Sequence, residues 1–377
     1  MTTPLSGLRA ILRKLKDEVE VLPAVGGAAE DLEEPDIEER EDAALSGGER
    51  VFDTIFERDP SVARPPLYRH VPPIGRSQQH LFRYFLDGSF RSYFLGTLIE
   101  HERHTPLHYA QVGACALWRE KDGTVRRQFL EVRHLILAGK GRLAKETWDN
   151  LQSMAQTAGI TLVDLTEDNI PNGVMSDLDL RSQAKGQVRQ SMHALEGETI
   201  KAVLPQTKED CWLITDGSLA FSQSTALLTG GEQVKPVIGV AKNFRKDPQF
   251  VYGRGPAAQR YSIFQLLSNL QVEHRTVAYS AHSGNIAFWY VRLREQKNLD
   301  YPMMGVVKVE MVSPDRSPVP SELVDLVSRA LVAERCVTPH GADRRWHAHL
   351  YPIFLAERAV KENLLGFDVV QQYLKWR

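Results

Sequence analysis

Two apolar runs that end in the same tripeptide constrain the fold of this chain more than any other feature. They read FLDGSF at 85–90 and ITDGSL at 214–219. Asp-Gly is a common turn dipeptide, because glycine accepts positive φ and aspartate bonds to its own backbone. The simplest interpretation is a strand, a turn and another strand at each place. Asp87 and Asp216 would then each end a buried strand.

The remaining sequence alternates strand-like and helix-like patterns. Segments 109–120 and 124–137 flank Lys-Asp-Gly and predict an antiparallel hairpin, whereas 143–157 and 178–203 have helical periodicity. Further strands are predicted within 210–219, 234–244, 287–295 and 304–312, and further helices within 264–271, 321–335 and 350–374. This order predicts an α/β fold with a mixed sheet flanked by helices.

The first 50 residues differ from the rest in charge. They hold six basic and 13 acidic residues, although the whole chain has a net charge of −2. The acidic stretch 29–49 is expected to be a solvated linker. Apolar residues before it recur at helical spacing, and this amphipathic helix either packs on its own chain or binds a partner subunit. Its apolar positions are Leu5, Leu8, Ile11, Leu12, Leu15 and Val19. We therefore divide the chain into 1–50 and 51–377.

Composition narrows the class of protein. No apolar stretch approaches the roughly 20 residues of a membrane helix, and no signal peptide is recognisable. The three cysteines are far apart and form no CxxC pair, which argues against a structural zinc site. These features suit a cytoplasmic protein without a membrane partner. The mildly basic remainder of the chain tolerates a polyanionic partner.

The two aspartates suggest metal chemistry if their strands are neighbours. Paired carboxylates repel each other and bind hard divalent cations. Two such cations about 3.5–4 Å apart clamp the attacking and leaving oxygens in phosphoryl transfer. The predicted helix 178–203 offers Glu196 or Glu198 as a third carboxylate. Its helical angle favours Glu196 slightly, and solvated side chains remain the alternative for both.

Six segments in this order resemble the NurA nuclease family, whose fold is ribonuclease H-like. The resemblance covers roughly residues 75–377. The segments are FLDGSF at 85–90, ITDGSLAF at 214–221, VIGVAKNF at 237–244, FWYVRL at 288–293, GVVKVEM at 305–311 and HLYPIFLAERAV at 349–360.

The resemblance implies a DNA nuclease that depends on Mn²⁺ or Mg²⁺ and has endonuclease and 5′-to-3′ exonuclease activity. It also implies a homodimer that works with HerA, a hexameric DNA-translocating ATPase. Asp87 and Asp216 match the family's metal-binding aspartates, and its glutamate falls on Glu196 or Glu198. Lys242 matches a family lysine, whose ammonium would neutralise a phosphate or developing charge.

The chain departs from the family at the helix after Tyr351-Pro352, which lacks the usual histidine. His347 and His349 lie just before it, and either is a candidate metal ligand or proton donor. Surface histidines are the simpler interpretation of both. Glu357 is a candidate replacement for the missing ligand.

Several other residues carry weaker expectations. Glu131, on a predicted hairpin strand, is a fallback third carboxylate, and Glu310 is expected to be an ion-pair partner. Arg91, Tyr93 and Arg292 are candidate DNA contacts. For Tyr93 a place in the core is the stronger alternative.

Two other functions remain open. A DNA-binding or ATPase-docking subunit with weak or no catalysis would explain the missing histidine and the acidic segment. An ATP-using enzyme of the actin-like class shares the ribonuclease H-like core. Its phosphate loops separate aspartate from glycine, however, and the chain has no P-loop or GxGxxG motif in a suitable place.

Overall fold

The computed structural model describes residues 4–24, 29–30, 51–75, 80–166, 177–219, 228, 235–295, 303–313, 315–336 and 348–373. The acidic stretch predicted to be a linker lies almost wholly outside them. Among the helices of the described residues, none has the length and apolarity needed to cross a bilayer.

The strands of the described residues are β1 (Glu20–Pro23), β2 (Ala29–Glu30), β3 (Val51–Phe52), β4 (Glu57–Arg58), β5 (Tyr68–His70), β6 (Phe82–Glu100), β7 (Arg103–Arg119), β8 (Val125–Ala138), β9 (Thr161–Asp164), β10 (Trp212–Asp216), β11 (Val237–Ala241), β12 (Gln249–Tyr252), β13 (Gln259–Ser262), β14 (His274–Thr276), β15 (Tyr279–Ala281), β16 (Ile286–Arg292), β17 (Val306–Val312) and β18 (Val319–Pro320). Most of them join one mixed sheet in the order β5-β14-β16-β17-β11-β10-β6-β7-β8-β9. β1 and β2 add to β6, and β15 adds to β16.

The predicted helices are present, with bounds close to those expected. They are α1 (Pro4–Glu18), α2 (Lys145–Thr157), α3 (Asp177–Val203), α4 (Ile263–Ser268), α5 (Ser321–Glu334), α6 (Tyr351–Lys361) and α7 (Phe367–Tyr373). The predicted mixed sheet flanked by helices is thus confirmed.

The first Asp-Gly-Ser does not form the predicted turn. β6 runs without a break from Phe82 to Glu100, and Gly88 lies opposite Ala114 of β7. The prediction of a strand end at Asp87 is therefore wrong. The ladder to β7 continues on both sides of the tripeptide, and its hydrogen bonds override the local turn preference of Asp-Gly.

Helices cover both faces of the central strands. Phe85 and Ile214 pack with α5 and α6 in one core cluster. Leu86 and Leu213, which alternate with them, pack with the C-terminal part of α3 in another. We call these sides the α6 face and the α3 face. Successive strand residues point to opposite faces, so each position on β6 and β10 can be assigned to one of them.

The amphipathic helix α1 packs on its own chain, the first of the two alternatives. Leu8 and Ile11 are almost completely buried in a cluster that includes Leu98 of β6 and Leu151 of α2. Burial of each such side chain stabilises the fold by about 1.5–3 kcal/mol. The apolar side of α1 is therefore already occupied, and a partner would meet only its polar side.

Candidate functional site

The candidate site lies where β10 ends beside the longer strand β6. The two strands are parallel, and Thr215 pairs with Leu86, so Asp216 and Asp87 come next in register. Further along β6, the next pairing on that edge within the described residues is β2 with Ser92 and Tyr93. Among the described residues no strand pairs with positions 88–91 of this edge, and we call this stretch the notch. In α/β sheets, the carboxyl ends of strands are the usual place for ligands.

Asp87 is the most unusual side chain at the notch. Only 4% of its surface is exposed, and its Oδ2 atom has no hydrogen-bond partner within the described residues. Burial raises the pKa of Asp87 well above its ordinary value, and the negative charges of Asp216 and Glu357 raise it further. The positive charge of Lys242 opposes this shift without offsetting it, so the ionised form of Asp87 is disfavoured in this environment.

Asp216 meets Lys242, which follows β11. The Lys242 Nζ atom lies 2.7 Å from Oδ2 of Asp216, and the lysine side chain is only 7% exposed. The structure thus brings together three of the residues singled out from the sequence, because β6, β10 and β11 are consecutive in the sheet.

Glu357 of α6 joins this group from above the sheet. It is buried, and Nζ of Lys361 lies 2.9 Å from its Oε1 atom. Burial alone would raise the pKa of Glu357, but the nearby charges of Lys242 and Lys361 lower it below its ordinary value. Asp87, Asp216, Lys242 and Glu357 therefore form a carboxylate and lysine cluster on the α6 face.

The structure distinguishes clearly between the two helix glutamates. Glu196 is buried, and its carboxylate rests on Gly88 so closely that a Cβ at that position would collide with it. Glu198 is exposed and forms an ion pair with Arg133 at 2.5 Å. Glu196 is thus the one placed at the notch.

Glu196 reaches the notch from the α3 face. The Cβ direction of Gly88 is opposite to that of Asp87, because the two residues are neighbours on one strand. The expected single cluster is therefore divided, with Glu196 on one face and the other carboxylates on the opposite face. His193, one turn earlier on α3, places its Nδ1 atom 2.7 Å from Oε2 of Glu196. Sequence reasoning missed His193, although its i,i+3 spacing to Glu196 was a usable signal.

One of the two candidate histidines lies within the described residues. His347 lies outside the described residues. His349 is 1% exposed, so the expectation of a surface side chain is wrong, and it is among the groups that lower the pKa of Glu357. His349 is thus near the α6-face cluster.

Glu131 and Arg91 have other partners. Glu131 lies two strands from Asp87 across the sheet, and its Oε1 atom accepts a hydrogen bond from Arg133 at 2.6 Å. Arg91 donates a hydrogen bond to the carbonyl of Leu364.

Tyr93 and Arg292 are buried. Tyr93 lies in the core and donates a hydrogen bond to the Leu365 carbonyl, which agrees with the alternative given for it. Arg292 is 1% exposed, and burial lowers its pKa to about 10. It donates hydrogen bonds to the carbonyls of Leu267, Leu270 and Met304. A DNA contact at Arg292 conflicts with this arrangement.

Glu310 fixes the second Asp-Gly-Ser from the α3 face. Its Oε2 atom accepts hydrogen bonds from the Ser218 hydroxyl at 2.6 Å and the Leu219 amide at 2.8 Å. Its Oε1 atom lies 2.8 Å from Nζ of Lys308. The expectation of an ion-pair partner is confirmed, and Glu310 also positions the loop that follows Asp216.

The side chains suit a divalent cation in their chemistry. Carboxylate oxygens are the ligands that hard cations such as Mg²⁺ and Mn²⁺ prefer, and Asp87 has a buried oxygen without a partner in the described part of the chain. As arranged, however, no three acidic, histidine or cysteine side chains of the described residues converge closely enough to ligate a metal.

Comparison with known proteins assigns no family to this chain. A scan against protein-family models gave no match, and a search of curated proteins gave no significant one.

Proposed function

We propose that this chain is a metal-dependent DNA nuclease with a ribonuclease H-like core, of the NurA kind. The observation that carries the proposal is the buried Asp87 carboxylate, whose Oδ2 atom has no partner within the described residues, beside Asp216 and Glu357. Buried groups of like charge are costly to the fold and are characteristic of functional sites. The resemblance of the segments around both aspartates supports the choice of DNA as substrate.

In this proposal Asp87 and Asp216 hold one or two Mn²⁺ or Mg²⁺ ions, and Glu357 assists from the same face. A bound cation would neutralise charge on the phosphodiester oxygens and activate a water molecule. Glu196 approaches the same notch from the α3 face, where the contact of its Oε2 atom with Nδ1 of His193 fixes its orientation. Lys242, released from Asp216, is well placed to bind a phosphate oxygen.

The proposal includes the partners implied by the resemblance. The chain would act as a homodimer, with endonuclease and 5′-to-3′ exonuclease activity, beside a HerA-type hexameric ATPase. Processing of DNA ends in repair and defence against phage would both use this activity.

The test is cleavage of plasmid DNA and of end-labelled single-stranded DNA in Mn²⁺, with and without a HerA-type partner. Asp87→Asn and Asp216→Asn should each reduce cleavage at least about a hundredfold while the protein stays folded. Glu196→Gln should also reduce cleavage. Glu198→Gln is the matched control, because it removes the same charge two residues away on α3 and should leave cleavage unchanged.

One other function has an observation in its favour. Nζ of Lys242 lies 2.7 Å from Oδ2 of Asp216 and neutralises its charge. This pairing would suit a DNA-binding or ATPase-docking subunit without catalysis. Wild-type protein that binds DNA but fails to cleave it in any metal, even with the partner present, would establish this alternative.

A further inference from the structure

Helix α3 carries a line of basic residues that leads toward Glu196. Arg181, Lys185 and Arg189 recur every four residues and are half-buried. Each step of four residues advances about 40° around a helix, so these side chains stay on one flank. His193 and Glu196 continue the same flank. We call it the basic flank of α3.

Contacts with the sheet show which way the basic flank faces. The Arg181 guanidinium lies 3.9 Å from the ring centre of Phe94 on β6. At the other end, Glu196 rests on Gly88 of the same strand. Glu198, on the opposite flank, reaches Arg133 of β8 instead. The basic flank therefore follows β6 toward the notch.

A buried histidine lies at the far end of this flank. His108 is 4% exposed, and its Nε2 atom has no hydrogen-bond partner in the described part of the chain. Burial lowers its pKa to about 4, and the charges of Arg181 and Lys185 act in the same direction. Its ring lies 5.4 Å from that of Phe94. A neutral histidine with an unused ring nitrogen, next to two cations, is suited to receive an anion.

The spacing between this group and the notch matches a short length of nucleic acid. Arg181 and Glu196 are separated by about 22 Å along the helix axis. Phe94 and Gly88 are separated by about 20 Å along β6. A stacked strand spans this distance with at most about six nucleotides, and an extended strand with fewer.

We propose that Arg181 and Lys185, beside the buried His108, bind a backbone phosphate of a DNA strand whose scissile region lies at the notch. Arg189 lies between the two positions and contacts the intervening backbone. This inference rests on the proposed function, because DNA is taken as the ligand. Free inorganic phosphate offers the same chemistry, so the test distinguishes the two sources.

The test measures equilibrium binding by the full chain without divalent cations, so that cleavage does not contribute. Labelled oligothymidylates of about three and about twelve nucleotides are compared by fluorescence anisotropy over a range of salt concentrations. The variant Arg181→Gln/Lys185→Gln is compared with Arg13→Gln/Lys16→Gln, which removes two exposed charges from α1. Thermal melting establishes that each variant is folded.

We call Arg181→Gln/Lys185→Gln the α3 variant and Arg13→Gln/Lys16→Gln the α1 control. The longer oligonucleotide should bind the α3 variant about tenfold more weakly than the wild type, because two charged hydrogen-bond donors are lost. The slope of log affinity against log salt should decrease by about 1.4 for that variant. The shorter oligonucleotide cannot reach both positions, so it should bind the wild type more weakly than the longer one does. The α1 control should differ little from wild type. If the double variant does not fold, Lys185→Gln alone should decrease the slope by about 0.7.

Two results would overturn the proposal. If the α3 and α1 variants lose the same affinity for the longer oligonucleotide, the effect reflects the overall charge of the protein and not a site on α3. Titration with inorganic phosphate, followed by chemical shifts of the His108 ring, provides the other arm. Suppose that phosphate shifts the His108 resonances in the wild type but not in the α3 variant, while both proteins bind the longer oligonucleotide equally. The basic residues would then be assigned to free phosphate and not to DNA.

The same assay separates this proposal from the nuclease proposal. Asp87→Asn should retain the length-dependent binding even though cleavage is lost. A wild type that never cleaves DNA but shows the expected binding pattern would leave the phosphate site standing without the nuclease. A wild type that cleaves DNA but binds both oligonucleotides equally would support the nuclease and contradict the phosphate site.

Discussion

The two Asp-Gly-Ser tripeptides have the same sequence but use glycine for different physical reasons. Gly88 lies inside β6, where a Cβ would displace the Glu196 carboxylate. Gly217 follows the end of β10 and has a φ of +86°, with nothing within 4 Å of the position that a Cβ would occupy. The first glycine provides space, whereas the second provides a backbone conformation that other residues rarely adopt.

The carboxylates around the two tripeptides also differ. Asp87 is next to other negative charges, which together with burial raise its pKa. The second tripeptide is held by Glu310. Burial would raise the pKa of Glu310, but Lys308, Ser218 and the Leu219 amide lower it below its ordinary value. One region therefore destabilises its charged carboxylate, and the other stabilises it. This comparison shows that the same tripeptide can lie among buried like charges in one place and be held by a charge-paired carboxylate in another.

The largest effect on stability is expected for Glu310→Gln. Loss of the charge paired with Lys308 should lower the free energy of unfolding by about 3 kcal/mol at neutral pH, measured by urea denaturation. Because the pKa of Glu310 is lowered in the folded state, its contribution is present above pH 4.5 and is lost as the pH falls through the folded pKa. The difference from wild type should therefore shrink in acid. The exposed Glu209→Gln control should change stability by less than about 0.5 kcal/mol.

Gly88→Ala should affect activity more than stability. The flexible end of Glu196 can move away from the new methyl group, but it then leaves the notch. We expect about a hundredfold slower DNA cleavage in Mn²⁺, as for other displacements of about 1 Å at a reacting centre. Gly186→Ala on α3, where nothing lies within 4 Å of the Cβ position, is the control. Unchanged cleavage by Gly88→Ala would remove Glu196 from the proposed site.

Gly217→Ala should show the opposite balance. The positive φ makes alanine unfavourable by about 1–2 kcal/mol, although the site has room for the methyl group. Urea denaturation should detect this loss, and the remaining folded protein should bind DNA normally. A loss of stability for Gly88→Ala as large as that for Gly217→Ala would contradict the distinction between space and conformation.

Asp87→Asn should have the smallest effect on stability and the reverse sign. In the absence of divalent cations, the variant should melt at a higher temperature than wild type at neutral pH. A carboxyl with a raised folded pKa favours the folded state most in acid, and this contribution is lost as the pH rises above 3.8 through the folded pKa. The difference in melting temperature between Asp87→Asn and the wild type should therefore disappear as the pH falls to 3.8. Mn²⁺ should stabilise the wild type but not Asp87→Asn. Lower stability of Asp87→Asn at neutral pH would contradict the environment described for Asp87.

The order and type of most elements followed from the sequence. The hairpin of β7 and β8, the helices α2 and α3, and the buried strands β10 and β11 all have strong local patterns. Such patterns depend on periodicity and on turn residues close in sequence, so they are readable without the fold. The placement of Asp216 at a strand end was predicted in the same way.

The sequence by itself thus determined the mixed sheet, its helices and the two candidate aspartates, whereas the tertiary structure made their strands neighbours. Only the tertiary structure decided that β6 continues past Asp87, because the continuous ladder to β7 outweighs the turn preference of Asp-Gly. It also chose Glu196 over Glu198, since Gly88 receives one carboxylate and Arg133 of β8 binds the other. Glu357 reached the same cluster through the packing of a helix far along the chain. These outcomes depend on contacts between distant segments, whose burial and charge no local pattern records.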